Sequence, residues 1–241
     1  MLLLIIIIII IFILFNQREL FDDRSLKITD EKIIKKVMEG LEVIDKIFRE
    51  NKIYYSISFG TLLGAIRHKQ MIPWDDDVDI LIWRKDIDKI MMLNDEFKKN
   101  GWILVKEWKL IKLYPFINGN NNNIKYPFID FFIMDIEDDK IIRCLINKDK
   151  CEQLDKKYKW YHKWFNFDKN LVIDTIDYKL KSNKYNYDLT VKGPKEAIKL
   201  LKIWYGDDCF KICKTPEFNH ITSKYEKPIS YNCDELKSLF N

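Results

Sequence analysis

Ile33, Ile34, Val37, Met38, Leu41, Ile44, Ile47 and Phe48 return every three or four positions, which predicts an amphipathic helix over about residues 30–50. Thr29 is placed as its N-cap, with Asp30 and Glu31 in the first turn, where the helix dipole favours negative charge. The period then changes. Residues 53–58 alternate and predict a strand running into Gly60-Thr61, residues 62–68 a short helix that Pro73 ends, and residues 77–82 a second alternating strand. A helix over 86–99, closed by Asn100-Gly101, is followed by strands near 102–108 and 111–114. Residues 128–134 are almost wholly apolar and predict a third strong strand. The Asn-rich tract 118–123 reads as a solvated loop. From Lys150 onward the pattern predicts aromatic-rich helical segments and loops. Its clearest element is a helix over 194–205, with Pro194 at the first position and Gly206 at the end.

Residues 2–15 form an unbroken apolar run. A comfortable membrane span needs about 20 apolar residues, so this run resembles the core of a secretory signal or a short signal anchor. No small-residue cleavage site follows it, which favours an uncleaved anchor over residues 1–17 and a folded region over 26–241. The expected location is therefore a single-pass membrane anchor with the folded region lumenal or extracytoplasmic. The five cysteines, Cys144, Cys151, Cys209, Cys213 and Cys233, all lie in the second half. In an oxidising compartment they permit one or two disulfides with one thiol left over. Cys209 and Cys213 lack the second Cys/His pair that a zinc site needs.

At 241 residues the chain is long enough to bury a substantial core. Its net charge of +4 hides an acidic first half and a basic second half. That split suits a cation and a phosphorylated ligand, but the Lys-rich composition of the whole chain explains it equally well.

The chemistry is carried by carboxylates. Asp77 and Asp79 lie two apart on a predicted strand, so they point to one face with Cα atoms roughly 6.5 Å apart. The alternate positions Val78, Ile80 and Ile82 are apolar and face the core. Two carboxylates so placed can converge on one hard cation. Asp130 sits inside the apolar strand 128–134, where burial of a charge demands a partner. On a strand beside Asp77 and Asp79 it completes a cluster. Asp135, at the end of the same run, is the competing third carboxylate. Gly60 allows close approach of backbone to a ligand, and the amides and hydroxyl of Thr61 can bind phosphate oxygens. Arg67 and His68 either bind phosphates or pair with the acidic run 75–77. Asp75 shares parity with Asp77, and His162 and His220 read as structural.

A Gly-Thr turn, a strand with Asp-x-Asp and a later strand with a single Asp are the arrangement of nucleotidyltransferase-like folds. Residues 60–79, Gly-Thr-Leu-Leu-Gly-Ala-Ile-Arg-His-Lys-Gln-Met-Ile-Pro-Trp-Asp-Asp-Asp-Val-Asp, closely resemble the signature of the LicD family, which includes bacterial phosphocholine transferases and fukutin-related protein. Phe128-Ile-Asp-Phe-Phe resembles that family's third-carboxylate strand, and Gly193-Pro194 with the Tyr-Gly-Asp of 205–207 resembles its C-terminal segment. The resemblance covers roughly residues 30–210.

It implies an α/β (α+β) fold, a nucleotidyltransferase-like mixed sheet flanked by helices, with a helical and loop-rich C-terminal part. It implies transfer of a phospho-alcohol, such as phosphocholine or ribitol phosphate, from a CDP-linked donor to a hydroxyl of a glycan or glycoconjugate. Mg²⁺ (or Mn²⁺) would be held by Asp77, Asp79 and Asp130. Gly60, Thr61, Arg67, His68 and Asp75 would serve substrate, and no nucleic acid is expected. Two rival readings are a template-independent nucleotidyltransferase acting on nucleic acid, which shares the three-carboxylate core, and a non-catalytic membrane-anchored module of the same fold.

Overall fold

Asp30, not Thr29, caps the first helix: its Oδ1 accepts the amide of Lys32 at 2.7 Å. Thr29 instead donates its amide to the carbonyl of Pro73, tying the entry segment to the acidic loop. The computed structural model describes residues 26–107, 109–117, 125–143 and 164–240. The apolar run 2–15, the Asn-rich tract, Cys144, Cys151 and His162 lie outside these residues. Among the described residues no helix is long and apolar enough to cross a membrane.

Helix α1 (Glu31–Glu50) buries the face its spacing announced, with Ile34, Val37, Leu41, Ile44 and Phe48 all at 0 % exposure. Each such side chain contributes about 2 kcal/mol. A Cβ on Gly40 would come within 2.7 Å of Ile129 Cδ1 and of the Trp102 ring, so the glycine lets the helix lie directly on the sheet. The Phe48 ring packs edge-to-face with Tyr55, Phe97 and Phe131 at centroid distances of 5.8, 6.1 and 5.9 Å.

Strand β1 (Ser56–Ile57) is shorter than the alternation suggested. It leads into α2 (Phe59–Arg67) and then to β2 (Val78–Trp83). The helix expected over 86–99 is broken at Leu93 into α3 (Ile87–Met92) and α4 (Asn94–Lys99). Gly101 follows with φ +79°, as a helix-ending glycine does. Then come β3 (Trp102–Lys106), β4 (Ile111–Pro115), β5 (Ile129–Glu137), β6 (Lys140–Arg143) and β7 (Phe167–Asp168). The sheet is mixed and seven-stranded, in the order β1-β2-β5-β4-β3, with β6 on the far half of β5 and β7 on β6. Its centre is the parallel pair β2–β5, in which Asp79 lies opposite Asp130. Apart from their acidic residues both strands are apolar on both faces, as buried parallel strands are.

The C-terminal part corrects two expectations. Helices and loops were predicted, but residues 175–194 form a long hairpin, β8 (Thr175–Ser182) with β9 (Tyr187–Pro194). Pro194 is the last residue of that strand. It does not open helix α5, which spans Ala197–Tyr205 and stops at Gly206 with φ +91°. Two short ladders follow, β10 (Ile212–Lys214) on β13 (Ser230–Asn232) and, nested inside, β11 (Phe218–Asn219) on β12 (Lys224–Tyr225). A Cys213–Cys233 disulfide clips their base, and Cys209 is a buried free thiol.

Candidate active site

The carboxylates of Asp77, Asp79 and Asp130 converge, with one oxygen from each lying within 4.8 Å of the others. Two features of the chain produce this. Parallel register sets Asp79 and Asp130 side by side on one face, and Asp77, which immediately precedes β2 and does not lie within it as expected, joins them there. The turn before α2 then locks onto Asp79. Ser58 donates its amide to the Asp79 carbonyl at 3.0 Å, and the Asp79 amide donates to Thr61 Oγ1 at 2.9 Å.

The turn itself departs from expectation. Phe59, not Gly60, takes the left-handed conformation, with φ +43°. Its ring is held 4.5 Å from Trp204 and 5.0 Å from Phe132, measured between centroids. Gly60 supplies space of a different kind: a Cβ there would lie 2.6 Å from Asp75 Oδ2, so the glycine makes room for that carboxylate. Thr61 is 4 % exposed, and its hydroxyl oxygen accepts the Asp79 amide.

Five aspartates crowd one end of the sheet, and burial and mutual repulsion act on several of them. Burial, reinforced by Asp76, pushes the Asp75 carboxyl up to about 6. Burial holds Asp77 and Asp79 well above the usual carboxylate range, with Asp75 and Asp77 as their respective strongest repelling neighbours. Asp130 is raised by burial but relieved by Lys112, whose Nζ sits 2.6 Å from Oδ1 and 3.4 Å from the Phe128 ring centroid. Lys112 stands opposite Asp130 in the β4–β5 ladder, so Asp79, Asp130 and Lys112 form one row across three strands.

His220, read from the sequence as structural, reaches this cluster from the C-terminal hairpin. Its Nδ1 lies 2.7 Å from Asp76 Oδ1 and its Nε2 3.5 Å from Asp77 Oδ2. Burial alone would depress the imidazole; the Asp76 hydrogen bond and the neighbouring carboxylates raise it to about 9. Asp76 also accepts from the Tyr126 hydroxyl at 2.9 Å. Asp76, Asp77 and His220 form a second group able to ligate a metal, sharing Asp77 with the first. Lys112 and His220 touch the cluster, and Arg143 and Arg67 act on Asp130 and Asp75 through their charge, yet burial and mutual repulsion still disfavour the charges of Asp77 and Asp79. An all-oxygen set of carboxylates fits a hard divalent ion such as Mg²⁺ or Mn²⁺.

Gly60, Arg67, Asp75, Asp77 and Asp79 line a cleft of about 370 Å³, walled by Trp164, Trp204 and Tyr205. Arg67 lines the cleft and also acts on Asp75, while two of its nitrogens hold the protein's own groups. Its guanidinium donates to the carbonyls of Cys209 and Ile212 at 2.9 and 3.3 Å and to His68 Nε2 at 2.9 Å, and burial lowers it to about 10. His68 does not line the cleft. It is 5 % exposed, packed on Phe240 at 3.9 Å, and pushed down to about 3 by burial and then by Arg67, so it is neutral. Asp135 faces Arg84, 3.9 Å away, and stands outside the cluster. Lys112, Tyr126, Tyr205 and His220 were missed. The detectable signal was Lys112, a lone cation between Ile111 and Leu113 on a strand that otherwise reads as core.

Lys112→Met tests the charge balance. Removing one partner of a buried pair costs about 3 kcal/mol. Urea unfolding without metal should show that loss, and added Mg²⁺ should recover part of it by neutralising Asp130. Unchanged stability would mean that Asp130 does not depend on the ammonium.

The family profile described as LicD/FKTN/FKRP, nucleotidyltransferase domain, matches residues 52–187, and the chain belongs to that family. It is 28 % identical over 205 residues to an uncharacterized protein of Rickettsia prowazekii, covering 80 % of this chain and 66 % of that protein. With an uncharacterized protein of Rickettsia typhi it shares 30 % identity over 177 residues, 73 % of this chain and 48 % of that one. It is also 43 % identical over 68 residues to the lipopolysaccharide cholinephosphotransferase LicD of Haemophilus influenzae, covering 28 % of this chain and 25 % of that protein. The chain thus spans between a quarter and two thirds of the lengths of these relatives.

Proposed function

We propose that the chain is a metal-dependent phosphotransferase of the LicD type. It would move a phospho-alcohol, phosphocholine or ribitol phosphate in kind, from a CDP-linked donor to a hydroxyl of a glycan or glycoconjugate. The observation that carries this reading is the convergence of Asp77, Asp79 and Asp130 within 4.8 Å beside the turn that Thr61 fastens to Asp79. The similarity to a lipopolysaccharide cholinephosphotransferase supports the substrate class.

Asp77, Asp79 and Asp130 would hold the ion, which when bound neutralises diphosphate oxygens and favours attack at phosphorus. The protein's own groups do the rest. The acceptor oxygen bonds to the phosphorus that carries the alcohol, the bridging P–O bond breaks, and CMP leaves with the bridging oxygen. Lys112 already occupies Asp130 Oδ1, so Oδ2 would either accept the hydroxyl proton, leaving the ion to Asp77 and Asp79, or serve the ion itself. Such transfer depends on positioning and charge, so few further groups are needed. The Cys213–Cys233 disulfide favours an oxidising compartment. With the apolar run 2–15 it supports a membrane-tethered catalytic region on the lumenal or extracytoplasmic side.

The test is CMP release from CDP-choline and CDP-ribitol with Mg²⁺ or Mn²⁺. Release that requires the ion and disappears in Asp130→Asn is expected. Silence with both donors, or extension of an oligonucleotide by nucleoside triphosphates, would refute the reading.

A further inference from the structure

A second cavity, about 900 Å³, adjoins the catalytic cleft. The two share a wall of Trp74, Thr215, Pro216 and Phe218. Asp75, Asp77 and Asp79 line the smaller space, whereas Asp76 and Tyr126 line the larger. The reaction proposed above joins two substrates at one phosphorus, with the attacking and leaving oxygens roughly in line. They must therefore approach by separate routes, and two cavities that share a wall offer them.

Their linings differ in what they can hold. The smaller cleft is lined by Asp75, Asp77 and Asp79, so it suits a diphosphate that brings a metal with it. In the larger cavity Lys27, Lys32 and Lys227 are balanced by Asp30, Asp76 and Glu226, so it has no net attraction for an anion. Its walls combine the partly exposed rings of Tyr126 and Phe218, over the buried Trp74, with polar edges. The Trp74 indole N–H is held by the Lys214 carbonyl at 2.9 Å and the Tyr126 hydroxyl by Asp76, which immobilises both rings. Thr29 adds a hydroxyl, while Thr215 and Asn219 are fixed by hydrogen bonds to Ile229 and to Glu226, Ile221 and Thr222. Rigid rings for the C–H faces of a pyranose, ringed by neutral and paired polar groups for its hydroxyls, make a carbohydrate site, not a nucleotide site.

We propose that this larger cavity binds the acceptor sugar and delivers its hydroxyl across the Trp74–Phe218 wall to the carboxylate cluster. This rests on the phosphotransferase reading, but sugar binding is measurable without turnover. The full chain, with Mg²⁺, is mixed with the methyl glycosides of glucose, galactose, N-acetylglucosamine and N-acetylgalactosamine and examined by saturation-transfer NMR. At least one glycoside should receive saturation, and an excess of CDP-choline should not displace it. Ile221, which lines this cavity and is 74 % exposed, allows a blocking substitution that does not disturb the core. Ile221→Trp, with an unchanged melting temperature, should abolish the signal. The proposal is overturned if no glycoside binds, if the signal survives Ile221→Trp, or if CDP-choline competes. Should a glycoside bind as described while no CMP is released from any donor, the phosphotransferase reading fails and the sugar site stands.

Discussion

Asp79→Asn is expected to lower transfer by about a thousandfold and, in the absence of metal, to make the protein more stable. The two effects share a cause. The Asp79 carboxylate is buried against Asp77 and Asp130, and burial followed by repulsion from Asp77 disfavours its charge. The amide keeps the side-chain volume and removes one of the like charges. Relief of an unbalanced buried charge contributes about 1 to 2 kcal/mol, seen as a rise of a few degrees in Tm. Circular dichroism melts with and without Mg²⁺ separate the contributions: the wild type should gain stability from the ion and the variant should gain little. A variant that melts lower than wild type without metal, and still transfers, would show that these carboxylates serve some other purpose.

Phe59→Ala is expected to lose about 3 to 5 kcal/mol and most of the activity. Phe59 holds φ +43°, a conformation costing of order 1 to 3 kcal/mol for a residue with a side chain, and it persists only because the surroundings enforce it. Those surroundings are rings: Trp204, Phe132, Trp164 and Phe165 lie with centroids 4.5 to 5.9 Å away. Alanine keeps the backbone strain and discards the packing that offsets it. The turn should then relax and carry Thr61 away from the Asp79 amide, so kcat should fall along with stability. Urea titration gives the first number and CMP release the second. A loss below about 1 kcal/mol, or full activity in the folded variant, would mean that the ring nest does not hold the turn.

Much of this was legible from the chain. The α1 stripe from Ile34 to Phe48 is long and strictly periodic, and the apolar runs of β2 and β5 are bounded by clear breaks. The acidic residues on those strands stood out because charge inside such runs needs a reason. What stayed hidden depends on contacts distant in sequence. Lys112 belongs to the site only because β4 pairs with β5 in one register, which no local pattern specifies. His220 arrives from 144 positions beyond Asp76 through a clipped hairpin with weak strand propensity. The β8–β9 hairpin escaped because its outward positions are charged and few of its residues are buried, while Pro194 at its end mimicked a helix start. Arg67 and His68 looked alike beside an acidic run, yet Arg67 lines the cleft and acts on Asp75 while His68 is packed under Phe240.

The side-by-side placement of Asp79 and Asp130 has one more consequence. It is created by the hydrogen-bond ladder between two strands, not by the flexible reach of side chains. Gaining or losing a single residue between Tyr126 and Asp130 would turn the carboxylate to the opposite face and bring Ile129 or Phe131 into its place. Lys112 would then be stranded beside an apolar group. Frame-preserving changes of length in that short stretch are thus as damaging as deleting the carboxylate outright, although every ligand residue would still be present in the chain.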